Sequence, residues 1–347
     1  MKPPAGPGRT RTSRRSSATR SCRSACSDES WMTPGGRRPA RRPARRPAVS
    51  RAGRAAPGPS PSASWTWRMH PMADLQAKLN ELVGRSWQAL DSYRSDIVLV
   101  GGLATSYYPR HPDFSPPPMS SRVTVDVDVA IPDPTRIRGN RTIPAALHAG
   151  RLVEYVTTDA AGHPVEVCFQ MEEDGTRSRA DVHLEFLVPL QGRDATSPGT
   201  PQPALIAHAL RYVDLLLYKP VVIDDGGLGR IQLPHPASFI FQKQCIRRDR
   251  QAKGKAATDQ ADVVFTIWGF RRGWDDLADR WRELERTNSE WAVWSRRTKE
   301  QMARLYDSAD APGSQEVREV FASQPGVTVS AEDISRVVQG FLGRLGS

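Results

Sequence analysis

The 347-residue sequence predicts an α+β fold, a mixed sheet flanked by helices, followed by a C-terminal helical region and preceded by a disordered tail. Three observations carry that expectation. Short apolar runs bounded by Gly, Pro and Asp recur between residues 97 and 223, apolar residues recur at helical spacing after Pro236, and residues 1–68 hold almost no large aliphatic side chains. The length exceeds what one small core needs, so the expected division is a tail over residues 1–68, a mixed domain over 70–235 and a helical region over 236–347.

The tail carries the charge. Fifteen Arg and one Lys face only Asp28 and Glu29 in residues 1–68, an excess of +14, whereas the rest of the chain has a net charge of −3. A stretch such as "GGRRPARRPARRPAVSRAGRAAPGPSPSAS" cannot bury enough apolar area to offset the entropy of ordering. Two readings stand for it. One is an electrostatic arm for nucleic acid or an acidic surface, and the other is an unstructured extension ahead of a start at Met69 or Met72. The composition is Arg- and Ser-rich like a transit peptide but lacks an amphipathic period, and no apolar stretch resembles a signal peptide. No window approaches the ~20 apolar residues of a membrane span. Cys22, Cys26, Cys168 and Cys245 form neither a disulfide framework nor a zinc ligand set, which points to a reduced, cytoplasmic protein.

Element by element, Leu75, Leu79, Leu82, Val83, Trp87 and Leu90 give one apolar helix face over residues 74–93. Ile97 to Val100 form a short strand, Gly101 and Gly102 break it, and residues 103–108 open a helix. A Pro-rich loop, "YPRHPDFSPPPMSS", leads to the strand "RVTVDVDVAI". Further strand-like runs are "RLVEYVTTD", "PVEVCFQ", "DVHLEFLVPL" and "VDLLLYKPVVI", and "IDDGGLGRIQLP" has hairpin-turn chemistry. Later, "ASFIFQKQCIRRDRQ", "ATDQADVVFTIWGF", "WDDLADRWRELER", "EWAVWSRRTKEQMARLY" and "AEDISRVVQGFLGRL" read as helices.

Side chains two apart on a strand share a face, so Asp126 and Asp128 point one way and Val125, Val127 and Val129 the other. Two neighbouring ionised carboxylates repel, and burying them unpaired costs several kcal/mol. Either water or a cation must answer them. An edge strand with one solvated face satisfies the first case, and Mg²⁺, which prefers carboxylate oxygens, satisfies the second. Gly101 and Gly102 end a strand and open a helix, where free N–H groups favour a phosphate, and Thr105 or Ser106 would add a hydroxyl.

Strand, Gly-Gly, helix and a strand bearing Asp-x-Asp together resemble the nucleotidyltransferase superfold. The match rests on "VGGLATS" and "RVTVDVDVAI", the latter similar to the Arg-x-Thr-x-Asp-x-Asp form of bacterial AbiEii- and MenT-type transferases, and it covers residues 97 to about 268. The insert "PRHPDFSPPPMSS" makes the separation between glycines and aspartates longer than in most members. The resemblance implies a third carboxylate in "ADVHLEFLVPLQGR", where Asp181, His183 and Glu185 share a face and "LEFLVP" favours Glu185, with His183 as a satisfied neighbour. It also implies a lysine on the helix after the sheet and a Lys-to-Asp pair further on, which Lys243, Asp259 and Asp262 match. Arg247, four residues from Lys243, and Lys255 join them, unless all are a solvated helix face.

In this reading Asp126, Asp128 and Glu185 bind Mg²⁺ or Mn²⁺, Gly101, Gly102, Thr105, Ser106, Lys243, Arg247, Asp259 and Asp262 bind the NTP, and Glu185 holds the ion or takes the acceptor's proton. The acceptor is RNA, a protein hydroxyl or a small molecule, and the resemblance adds the role of a toxin with a small antitoxin partner. Trp274, Trp281, Trp291 and Trp294 are core residues or a stacking surface for an RNA base. A different class is a non-catalytic nucleic-acid-binding or regulatory protein of the same fold, with affinity supplied by the basic tail. Intact Asp126 and Asp128 favour the enzyme.

Overall fold

The computed structural model describes residues 70–122, 124–158, 162, 164–172, 182–191 and 199–346. The expected tail over residues 1–68, the start at Met69, and Asp181 lie outside the described residues. Helix α1 (His70–Ala89) buries Leu79, Leu82, Val83 and Trp87, the face that the spacing predicted. Strand β1 (Val98–Val100) runs into α2 (Gly101–Tyr107), and β2 (Asp126–Ala130) follows the Pro-rich loop. Then come α3 (Ile143–Ala149), β3 (Leu152–Thr158), β4 (Pro164–Met171), β5 (His183–Pro189), β6 (Gly199–Gln202), β7 (Leu205–Leu210) and α4 (Val213–Leu217). A hairpin of β8 (Val221–Asp224) and β9 (Arg230–Leu233) closes the mixed part. Seven helices complete the described chain: α5 (Pro236–Cys245), α6 (Arg247–Ala252), α7 (Ala256–Gly269), α8 (Trp274–Thr287), α9 (Ser289–Leu305), α10 (Pro312–Ala322) and α11 (Ala331–Gly346).

The main sheet has the order β1-β2-β5-β4-β3, with β7 also on β5 and β6 on β7. Strand β5 is its hub. It runs parallel to β2 and β7 and antiparallel to β4, which lies against its start, where Phe169 faces Leu184, while β7 lies against its end, where Leu187 faces His208. One face of this sheet buries Leu99, Val127, Val129, Leu184 and Phe186 in a core that continues through the C-terminal helices to Leu345. The other face is divided. Val98, Val100 and Ala130 pack under Val213 and Leu216 of α4, and the acidic ends of β2 and β5 extend beyond that cover.

Several local readings needed tertiary context. The run "VDLLLYKPVVI" is no single strand: Tyr212 takes a left-handed conformation (φ 67°), residues 213–217 coil as α4, and only residues 221–224 extend. Four apolar residues in a stretch of five fit a buried helix as well as a strand, and packing on the second sheet face decides. The helix expected over "ASFIFQKQCIRRDRQ" breaks at Ile246 into α5 and α6. Helices α3 and α10 and strands β6 and β7 carry too few periodic residues to announce themselves; α3 relies on Thr142, whose side chain accepts from the Ala145 N–H, and on Pro144 in its first turn. Trp274, Trp281 and Trp291 serve packing. Trp281 stacks on Phe241 at 4.8 Å and donates to Ser295 Oγ, Trp291 donates to Asp214 Oδ2, and Trp274 donates to the Ile267 carbonyl. Among the described residues no helix is long and apolar enough to cross a membrane.

Candidate active site

The parallel register of β2 and β5 sets Asp126 beside His183 and Asp128 beside Glu185. Because side chains alternate along a strand, these four lie on one face, while Val127, Val129, Leu184 and Phe186 are fully buried on the other. Asp126, Asp128 and Glu185 are partly exposed and His183 is buried beneath them. His183 Nε2 is 3.0 Å from Glu185 Oε1 and 3.3 Å from Asp126 Oδ1, and His208 Nε2, on β7, is 3.9 Å from Glu185 Oε2.

The glycine pair has a steric role here. Gly101 adopts φ +67°, and a Cβ at that position would lie 2.1 Å from Asp128 Oδ2, so only glycine lets the aspartate reach the turn. At Gly102 a Cβ would come within 3.2 Å of Thr124 Cβ, which brings the approach to β2 close against α2. The structure places the two expected hydroxyls differently. Thr105 is buried and donates to the Gly102 carbonyl at 2.6 Å, and Ser106 lines a cleft of about 240 Å³ with Asn80, Arg110, Arg122 and Thr124.

A second cluster comes from α5, α6 and α7. Lys243 Nζ donates to Asp259 Oδ1 at 2.5 Å and lies 3.5 Å from Asp262 Oδ2; Arg250 Nε donates to the other oxygen of Asp259 at 2.5 Å; and Arg122 forks onto Asp262 at 3.2 and 3.1 Å. Asp259 and Asp262 share the inner face of α7 because they are three residues apart. Burial alone would raise the Asp259 pKa, but Lys243 and Arg250 outweigh it and hold this carboxyl below its ordinary value. Arg247 is not in this cluster: the break at Ile246 turns it onto Glu316 of α10, at 2.9 Å, while Lys255 is exposed.

The two clusters feel one another. Burial pushes the Asp128 carboxyl up to about 6, Glu185 and Asp126 push it the same way, and Lys243 and Arg250 pull it back. Sequence reasoning did not pick out Arg250 or His208, since one sits in the run "RRDRQ" and the other on a strand too short and plain to be foreseen. Arg122 had a signal, because it opens the "RVTVDVD" stretch.

Residues 82–286, more than half of the sequence, match the protein family described as Nucleotidyltransferase. The chain belongs to this nucleotidyltransferase family. The crystal structure of an antigenic nucleotidyltransferase-like protein from Paracoccidioides brasiliensis is similar at 20% identity, over 55% of this chain and 76% of that one, with a TM-score of 0.33, a likeness too distant to assign roles to residues. No curated protein matches the sequence.

The donors present in this member of the family decide whether a divalent cation fits. Three carboxylates on one face, with Asp128 raised to about 6 first by burial and then by its acidic neighbours, form an oxygen-rich set of the kind that Mg²⁺ or Mn²⁺ prefers. Among the described residues no group of three or more His, Cys, Asp or Glu side chains stands, as placed, where it could hold a metal ion.

The Pro-rich loop is pinned to the C-terminal helical region. The Ser115 N–H donates to the Gly269 carbonyl at 2.7 Å, Arg271 donates to the Ser115 carbonyl at 2.8 Å, and the Gln324 amide meets the Ser120 N–H and carbonyl at 3.3 and 3.1 Å. Phe114 fills the space where a Cβ on residue 269 would stand, 2.1 Å from its Cε2. Beside this anchorage lies a cleft of about 540 Å³ lined by Ser120, Arg122, Thr258, Val320 and Gln324, so Arg122 borders both this cleft and the smaller one.

Proposed function

We propose that this nucleotidyltransferase moves a nucleoside monophosphate from an NTP to an acceptor hydroxyl and releases pyrophosphate. The observation that carries the reading is the alignment of Asp126 and Asp128 with Glu185 on one face, hard against a glycine turn that tolerates no side chain. Asp126, Asp128 and Glu185 would hold Mg²⁺ or Mn²⁺, which when bound supplies positive charge to the phosphates. The chain's own residues do the rest. The backbone N–H groups of the Gly101–Gly102 turn would face the phosphates, Lys243 and Arg250 on the facing helices and Arg122 in the loop before β2 offer positive charge, and Asp259 and Asp262 fix where that charge sits. Thr105, Ser106 and Arg247 would support the NTP site from behind rather than touch the nucleotide. The acceptor oxygen forms a bond to the α-phosphorus, the bond from that phosphorus to the bridging oxygen breaks, pyrophosphate carries away the electron pair, and Glu185 takes the hydroxyl proton.

The helical region from residue 236 completes the site and binds the acceptor in this reading, with the residues 70–235 supplying the carboxylates. The AbiEii/MenT resemblance of "VGGLATS" and "RVTVDVDVAI" supports a cytoplasmic toxin role with a small antitoxin partner and RNA or protein as acceptor. The test is transfer of label from an α-labelled NTP to cellular RNA, protein and small-molecule fractions, using wild type and Asp126→Asn. Loss of transfer in the variant is expected. Equal transfer by both proteins overturns the assignment.

A further inference from the structure

The acid cluster contains one buried group that the transfer reading does not use. His183 is the fourth corner of the square made with Asp126, Asp128 and Glu185. Its side chain is 3% exposed, against 37% for Asp126 and 20% for Glu185, so the imidazole forms the floor of the cluster and the carboxylates its rim. Parallel pairing makes the contact possible, because the residue two before Glu185 lands beside the residue two before Asp128. From there Nε2 reaches both Glu185 Oε1, at 3.0 Å, and Asp126 Oδ1, at 3.3 Å. The ring thus hydrogen-bonds Glu185 on β5 and lies within ion-pair distance of Asp126 on β2.

The physical need for such a bridge is plain. Carboxylates on one face repel one another, and each exposed acid lowers its energy by swinging into water. A cation that uses both oxygens requires them at a fixed separation, so the entropy of holding them falls on the site unless the protein fixes them beforehand. His208 does not serve here, since 3.9 Å to Glu185 Oε2 is too long for a hydrogen bond. His183 is short, planar and buried, and it stands against one oxygen of each acid.

We infer that His183 is a positioning residue for the metal-binding carboxylates, tying Asp126 to Glu185 across β2 and β5 so that the pair is preset for a divalent cation. The inference rests on the reading of Asp126, Asp128 and Glu185 as the cation ligands. The orienting partners of metal ligands typically contribute 10- to 100-fold in affinity.

The experiment is Mn²⁺ binding to the full chain without nucleotide, followed by the electron paramagnetic resonance of free Mn²⁺, in wild type, His183→Phe, His183→Gln and Asp126→Asn. Phenylalanine keeps a planar ring and removes the donor; glutamine returns an N–H near the Nε2 position. His183→Phe is expected to weaken binding about 10- to 100-fold, with unchanged far-ultraviolet circular dichroism, and His183→Gln to stay within about threefold of wild type. Wild-type affinity in His183→Phe, or equal weakening in both His183 variants, overturns the bridge while the cation reading stands. Binding by wild type no tighter than by Asp126→Asn overturns both. Should His183→Phe not fold, His183→Asn, whose shorter amide cannot reach both acids, is read on the same scale.

Discussion

Gly101 and Asp128 occupy adjoining space: at φ +67° a Cβ on residue 101 would stand 2.1 Å from Asp128 Oδ2. A substitution there must overcome both a left-handed backbone and a collision with a carboxylate that belongs to the candidate site. Gly101→Ala is therefore expected to lose about 2 kcal/mol or more of stability, since a non-glycine residue held in this region costs of order 1–3 kcal/mol before any clash is counted. Urea denaturation checks it, and a midpoint equal to that of wild type would show that the turn relaxes freely. Transfer activity should fall with it, because relief of the clash moves Asp128.

The pH dependence of stability should carry a signature of Asp128. Its folded pKa, about 6, lies above the ordinary value of 3.8, so its favourable contribution is complete at low pH and is lost as pH rises from 3.8 through about 6. In chelator, Asp128→Asn should therefore gain on wild type between about pH 4 and pH 7, by roughly 1–3 kcal/mol. Addition of Mn²⁺ should narrow the gap, because wild type alone keeps both oxygens of residue 128 as acceptors. Unfolding midpoints measured across that range decide it, and a gap that does not change with pH counts against the burial and acid repulsion described above.

Lys243 and Asp259 are both almost fully buried, with Arg250 on the second oxygen of Asp259. Lys243→Met leaves a buried carboxylate with one partner fewer, and a loss of about 3–5 kcal/mol is expected. The double variant Lys243→Met/Asp259→Asn should recover part of that loss, since the stranded charge goes with it. A loss in the double variant equal to the sum of the losses in Lys243→Met and Asp259→Asn would mean that the two groups are not coupled. Asp259 is held below its ordinary pKa, so its contribution is present above 3.8 and fades as pH falls through the folded value.

Gln324 acts as a side-chain substitute for a backbone partner, donating to the Ser120 carbonyl and accepting from the Ser120 N–H. Gln324→Ala should cost about 1 kcal/mol and speed amide exchange over residues 115–121. Unchanged exchange there would show that the Ser115 and Arg271 contacts suffice to hold the loop.

What was legible in the sequence was short-range. The alternation in "DVDVA" puts Asp126 and Asp128 on one face, the Gly-Gly break ends β1, and the apolar spacing of Leu79, Leu82, Val83 and Trp87 forms the inner face of α1. Lys243 with Asp259 and Asp262 was also within reach, because the resemblance named that pair. Arg247 stands apart from Asp259, since helical spacing holds only while the helix continues, and the break at Ile246 places Arg250 rather than Arg247 at Asp259. The same limit applies to "VDLLL", where four apolar residues fit two periods and the packing of Val213 and Leu216 on the second sheet face chooses the helix.

By itself, then, the sequence determined which residues could share a face, because side-chain direction along a strand or helix repeats every two or 3.6 residues. Only the tertiary structure decided which faces meet. Glu185 and His183 reach the aspartates through the β2–β5 register, and Gly101 matters because Asp128 occupies the space of its missing side chain. Those meetings join residues far apart in the chain, where local spacing carries no information and the closing of one shared core sets the geometry.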